Sequence, residues 1–541
     1  MHLDISRDSF DPNNPDPKIR HLQVFHEQGR ILLDAVLNQQ IASMLHEVRT
    51  LATDMYGSHW GPGDFVNPAD HTAGVSGAFK VQTPMNDNFE VLPGNYYVGG
   101  YRCQCPTGGS FRNQPFVPLI LESDNDLPTK PYVVYLEVWE RLLTDASAAD
   151  LKDPALEQFD APSASQVVWQ IRVKNVTQAP SGPPADPFVL KDPNDVTQGL
   201  KNLEVLLGDS VEKSTGQLRV MPVQGVAESP AQLHADLCES EIDERYRGLE
   251  NQLYRIEIHR SGLAYGKASI PDKTSEASSQ CATFKWSRDN GSVIFPILEW
   301  TPANDYASVR LARAGRDARF SLKAGDWVEY HDEVTILRND LAETSDRSIF
   351  RKLIQVQSVD AYDPTLITLK GTSGDFDLPQ VPSDWKSFQD RRAFLRRWDQ
   401  QNLTTPLTNV QQILDSKDPI QSPETNGLLV VAAPDDSDEK ALEPAGWLEI
   451  EHSIRIRFSA GYYRRGDYWL IPARYASGRV LWPTKLIDPN NPNSGLIPMA
   501  QAPRTIEHHY APLAVVTSTS AAPIDCRRIV TPERLPPQAE P

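Results

Sequence analysis

Cysteine is scarce: five residues in a chain of 541, an odd number without regular spacing. That excludes a disulfide framework and predicts synthesis in a reducing cytoplasm. No run of about 18 apolar residues occurs, so no helix is expected to span a membrane. The opening residues Met1 to Asp8 lack a basic start followed by an apolar stretch, so no secretory leader is predicted. Export by a route without such a leader, or release by lysis, stays open. Positive charge is in deficit, with 53 Lys+Arg against 72 Asp+Glu, a net charge of −19 and a pI near 5.1. This argues against a general nucleic-acid or acidic-membrane binder. The common catalytic strings are missing as well. There is no phosphate-binding Gly-x-x-x-x-Gly-Lys-Ser/Thr loop, no dinucleotide Gly-x-Gly-x-x-Gly, no His-Glu-x-x-His and no Gly-x-Ser-x-Gly elbow. Glycosidase carboxylate pairs leave no short signature, so enzymes as a class are not excluded. No catalytic residue and no cofactor is assigned.

Proline, by contrast, is abundant: 44 residues, about 8% against a usual ~5%. Proline breaks helices and favours turns, so short strands and loops are expected over helical bundles. The fold class expected is mainly β and multidomain, built of sandwich- or barrel-like modules, with one prominent N-terminal amphipathic helix. That helix is predicted over about 31–56, where Leu37, Ile41, Met44, Val48, Leu51 and Met55 are spaced 4, 3, 4, 3, 4. The spacing makes one apolar stripe close to a coiled-coil seam, with Gly57 as its stop. Its partner is either the chain's own β-domain or another subunit.

Beyond residue 57 the period becomes two. Val91–Tyr101 reads as a turn entering a short, aromatic-rich strand, and strands are predicted at Tyr132–Trp139, Val167–Val173, Tyr254–Ile258, Ile454–Phe458 and Tyr468–Pro472. Asp289-Asn290-Gly291 is expected to turn a hairpin over Phe284–Phe295. Short strands are also expected near Val309, Trp327–Tyr330, Val334–Ile336, Leu353–Val359 and Leu366–Leu369. Helical stretches are expected at 230–248 and 387–398. The domain reading has five blocks. Residues 1–125 hold an arm, the helix and a β-module; 126–300 form a central β-domain with a proline-rich insertion at 178–200. A β-module at 301–380, a loop or helical connector at 381–440 and a C-terminal β-module at 441–541 follow. Gly-Asp precedes an aromatic strand at both 325–330 and 466–471, marking either two related modules or a common way to start a strand.

Candidate chemistry is thin. Cys103 and Cys105 are two thiols of the four that a tetrahedral zinc site needs, and no second pair follows. His508 and His509 are adjacent in a strand and face opposite sides, so they are expected to be structural. His331-Asp332-Glu333 reads as a turn more readily than a cation site. No metal site is therefore assigned. Arg391, Arg392, Arg396 and Arg397 precede Trp398; on a helix Arg392 and Arg396 share a face. The cluster is expected to pair with carboxylates inside the chain or across an interface, with Arg392, Arg396 and Trp398 as interface candidates beside the helix stripe.

Several strings together resemble a known bacterial family. They are Asp4–Pro12, Glu27–Ala35 with Asn38-Gln39-Gln40, Val134–Arg141, Gln252–His259, Ala282–Val293 and Gly466–Arg474. The chain is similar along nearly its whole length to a family encoded beside phage-tail-like contractile injection systems. The resemblance implies a context rather than an activity: a structural, non-catalytic subunit at the baseplate periphery, in a cage or in a fibre-attachment layer. Partners would be other particle subunits such as baseplate, sheath, tube or fibre proteins, in a symmetric oligomer. A receptor- or glycan-binding tip protein is the alternative, with Trp60, Tyr96, Tyr97 and Trp300 as candidate sugar-stacking residues. A polysaccharide or cell-wall hydrolase is a further one.

Overall fold

In the computed structural model, β-strands are the main regular structure among the described residues. The structure describes residues 34–63, 77–116, 131–151, 163–175, 213–221, 246–266, 281–340, 352–400, 420–451, 454–517 and 522–530, with breaks of at most three residues, and a few isolated positions. Most of the predicted arm at 1–29, the proline-rich insertion at 178–200 and most of the helix at 230–248 lie outside the described residues. The fold is mainly β, with several sheets, one closed barrel and one long N-terminal helix. The five sequence blocks fold into two interleaved units.

The first unit joins both ends of the chain: His2–Leu142, Ala164–Val211 and Glu507–Pro541. One of its sheets orders the strands Ile529–Val530, His59–Pro62, Gly94–Val98 and Tyr101–Cys105. The last two form a hairpin through Gly99-Gly100, both at positive φ (57° and 77°), which a tight two-residue turn requires. The other sheet orders Ile524–Asp525, His509–Val516, Tyr132–Leu143 and Ala164–Asn175. Their inward residues, among them Tyr96, Val134, Leu136, Trp169 and Leu513, share one core with Phe79. The predicted strands at 132–139 and 167–173 are present. Helix α1, Asp34–Tyr56, belongs to this unit and ends at Gly57, whose φ of +93° closes the last turn with its N–H on the Thr53 carbonyl at 2.8 Å.

The second unit comprises Leu143–Ser163 and Glu212–Ile506. Its five-stranded sheet runs Leu428–Leu429, Thr283–Ser287, Gln252–Arg260, Tyr468–Arg474, Arg479–Val480. Its three-stranded sheet is Leu448–Glu451, Ile454–Phe458, Leu218–Val220. Side chains of both, including Ile256, Trp286, Ile456, Phe458 and Trp469, fill one core. The barrel closes six antiparallel strands in the order Ile294–Pro302, Tyr306–Leu311, Leu366–Lys370, Ile354–Val359, Trp327–His331, Phe394–Trp398. Val309, Tyr330, Ile367 and Leu395 lie inside it.

Three local readings are corrected. Phe284–Phe295 is not a hairpin. Asn290 and Gly291 do turn, with φ of 53° and 64°, but Asn290 N–H donates to the Leu253 carbonyl. The chain then leaves the five-stranded sheet and starts the barrel. Val334–Ile336 is not a strand but part of helix α2, Glu333–Asp340. Asp332 caps it: the Thr335 amide donates to Asp332 Oδ1 at 2.8 Å, and the Asp332 amide donates to Thr335 Oγ1 at 2.7 Å. Residues 387–398 are not helical, because turns lead into the barrel strand Phe394–Trp398. The repeated Gly-Asp start reflects only a common device. Gly325 and Gly466 both have positive φ (98° and 84°), yet one precedes a barrel strand and the other a strand of the open sheet.

Candidate functional site

The α1 stripe faces solvent. Leu37, Ile41, Met44, Val48, Leu51 and Met55 are each 50–66% exposed. A surface helix normally buries its apolar stripe and presents its polar side outward; here the order is reversed. The better-covered positions are polar for the most part: Gln39, Ser43, His46, Arg49, Thr50, Thr53 and Tyr56 are buried or half-buried. The helix is held by this side. Arg49 Nη1 reaches Glu140 Oε2 at 3.2 Å, and its guanidinium lies 3.9 Å from the centre of the Tyr101 ring. Gly100 makes room, since a Cβ there would lie 2.8 Å from Arg49 Cα. Tyr56 packs on Trp60 at 4.7 Å between ring centres, and Trp60 stacks on Tyr97 at 4.2 Å.

The basic cluster has a different fate. Arg396 and Trp398 are buried on a strand, while Arg392 is exposed in a turn at φ 53°. The shared helical face predicted for Arg392 and Arg396 does not exist. Arg392 Nη1 lies 3.8 Å from Glu333 Oε1, and Arg397 Nε lies 3.3 Å from Asp399 Oδ1. The cluster thus pairs with carboxylates within the chain, and Arg396 and Trp398 are not surface anchors.

Sequence reasoning missed the network in which Trp398 sits. Tyr254, Ile256 and Ile258 face the apolar core, so Arg255, Glu257 and His259 face the other side, and all six are buried. Lys285 does the same between Phe284 and Trp286. The covering layer is the outer face of the barrel. Glu329 and His331 come from Trp327–His331, and Trp398 from the neighbouring strand. Arg255 Nε donates to Glu257 Oε2 at 2.6 Å. Lys285 Nζ bridges Glu257 Oε1 at 3.2 Å and Glu329 Oε2 at 2.5 Å. Trp398 Nε1 donates to Glu329 Oε2 at 2.9 Å, and Lys285 Nζ lies 4.3 Å from the Trp398 ring centre. Burial alone would raise the pKa of Glu257, but Arg255 and Lys285 bring it down to about 2. Burial opposes ionisation of Glu329 too, and Lys285 and His331 hold it well below the ordinary value. Burial lowers His331 to about 4 against the pull of Glu329. At neutral pH both carboxyls are ionised and neither has a proton to donate, unlike the acid of a glycosidase pair. The sequence signal was a strand with an apolar face whose other face carried alternating opposite charges.

A second polar cluster follows in the same string. Arg288 grips Glu451 at 2.6 and 2.5 Å and Asp399 at 3.1 Å. Asp289 accepts from Arg319 Nη2 at 3.0 Å, while its buried Oδ2 has no hydrogen-bond partner. Burial, then the neighbouring Asp399, push Asp289 up to about 6.

The other candidates are packing groups. Cys103 and Cys105 are buried, and burial raises both thiols, so neither is poised as a thiolate. His508 Nδ1 lies 3.0 Å from Glu137 Oε1, whereas His509 packs on Tyr101 at 5.1 Å; burial lowers His509 to about 4. Among the described residues no group of three or more His, Cys, Asp or Glu is placed to hold a metal, and no helix is long and apolar enough to cross a membrane. Tyr96 and Trp300 belong to cores; Trp60 and Tyr97 are half-buried.

The model of one protein family matches residues 1–182, 215–433 and 436–532. The chain belongs to that family, DUF6519, described as a family of unknown function. No curated protein and no solved structure matches it significantly. The family match spans both units, with α1 and both polar networks inside the matched ranges.

Proposed function

We propose that this DUF6519 chain is a structural, non-catalytic subunit of a multi-chain particle, and that the particle is a phage-tail-like contractile injection system. The observation that carries the first part is the α1 stripe, six large apolar side chains turned to solvent on a helix tied down by its polar side. Such a face needs a partner. The buried ion pairs favour the same reading, since their carboxyls are neutralised inside the fold rather than offered to a substrate. The second part rests on the strings at Val134–Arg141, Ala282–Val293 and Gly466–Arg474, which resemble the family encoded beside contractile injection systems. In this reading the chain is made and assembled in the cytoplasm, occupies the baseplate periphery, a cage or a fibre-attachment layer, and leaves the cell only within the particle. The test is purification of contractile particles from the producing cell, with the chain tagged. Co-purification with sheath and tube at a fixed ratio is expected, reduced by Ile41→Asp. A chain absent from intact particles overturns the reading.

A further inference from the structure

The exposed stripe has the pattern of half a coiled coil. With Asp34, at the helix start, and Ile41, Val48 and Met55 at heptad position a, position d holds Leu37, Met44 and Leu51. Two of the four a residues are β-branched and two of the three d residues are leucine, the arrangement that in parallel coils favours two strands over three or four. The rest of the heptad agrees with the way the helix is held. Positions b, c and f are the outer face of a two-stranded coil, turned away from the partner helix. In α1 they include Ser43, His46, Arg49, Thr53 and Tyr56, the covered positions. Docking α1 on its own unit through Arg49 and Tyr56 therefore leaves the stripe from Leu37 to Met55 exposed, and beside it Gln40 accepts a hydrogen bond from the Val24 amide at 2.8 Å. The flanks decide direction. Both acidic flank residues, Glu47 and Asp54, are at g, whereas e holds Asn38, Leu45 and Ala52. Parallel pairing sets each g residue against an uncharged e residue, but antiparallel pairing sets g against g and brings these carboxylates together.

We infer that α1 pairs in parallel with α1 of a second copy of this chain. The inference rests on the reading of the stripe as an assembly surface and names its partner. The full-length protein is studied by sedimentation over a concentration series. Reversible dimerisation is expected, abolished by Ile41→Asp with Val48→Asp while far-ultraviolet circular dichroism is unchanged. Leu51→Cys gives an independent readout, because d residues meet their own counterparts across a parallel seam. Four native cysteines are buried; Cys238, outside the described residues, is replaced by serine. Mild oxidation should then link Leu51→Cys chains into disulfide dimers at least tenfold faster than Asp54→Cys chains. A wild-type chain that stays monomeric, a dimer that survives the double substitution, or a double variant that unfolds as a monomer overturns the inference. A dimer whose Leu51→Cys chains do not link overturns the parallel order. Incorporation of a chain that is monomeric in solution overturns self-pairing and leaves the particle reading standing. A self-paired chain absent from particles does the reverse.

Discussion

Lys285 stands between Glu257 and Glu329, two buried carboxylates that repel each other without it. Replacing it with methionine keeps much of the volume but leaves both charges poorly compensated. Loss of one partner from a buried ion pair typically costs about 3–5 kcal/mol, so Lys285→Met should lower the urea midpoint sharply with little change in m-value. Asp289 makes the opposite prediction. Its folded pKa is raised to about 6 from 3.8, so between these values the native state holds the proton that the unfolded chain has released. Its contribution to stability is fully present below pH 3.8 and is lost as pH rises to about 6. Asp289→Asn should therefore gain stability over wild type as pH rises from 4 to 7, by on the order of 3 kcal/mol for a shift of this size. Urea unfolding of both proteins at pH 4 and pH 7 checks this; a difference that does not change with pH would sink it. His331 has the reverse sign. Its pKa is lowered to about 4 from 6.5, so the unfolded chain takes up a proton first as pH falls. Between pH 7 and pH 5 wild type should lose about 2 kcal/mol more than His331→Gln.

At the scale of elements, α1 and the strand Phe394–Trp398 show how surroundings reverse a pattern's meaning. The stripe in α1 is apolar yet exposed, while Arg396 and Arg397 are charged yet buried. Burying six such side chains is worth on the order of 10 kcal/mol before entropy costs, and that stabilisation is not collected within the isolated chain. Ile41→Asp should therefore leave the far-ultraviolet spectrum intact and remove any concentration dependence of the melting temperature. Gly100→Val tests the opposite side of the helix. Its side chain would meet the α1 backbone at Arg49, at a position of positive φ. Undocking of α1, read as faster proteolysis near Arg49, is the expected result.

The whole molecule is not read in chain order. The unit formed by the chain ends needs His509–Val516, whose seven paired positions run along Tyr132–Val138. It also needs Ile529–Val530, which pair in parallel with Gly61 and Pro62. Removing residues 507–541 should therefore disorder that unit while Glu212–Ile506 keeps its own core and barrel. Limited proteolysis of the truncated chain should leave a protected fragment from the latter and none from residues 34–142. Equal protection of both would show that the C-terminal strands are dispensable.

The β class, the long helix with its stop at Gly57 and most strands are legible in the sequence, because these depend on local periodicity and turn chemistry. The faces of Tyr254–Ile258 and Ile454–Phe458, and the opposed placement of His508 and His509, follow from a period of two. What each face meets depends on packing between segments far apart in the chain. Periodicity says that Arg255, Glu257 and Lys285 share a side, but not that a barrel wall covers it with Glu329 and Trp398. The turn at Asn290-Gly291 is written in the sequence, but its exit into a different sheet depends on the distant Leu253 carbonyl. The heptad of α1 is likewise explicit, whereas its outward orientation follows from Arg49 meeting Glu140 and Tyr101 across gaps in sequence that no local pattern records.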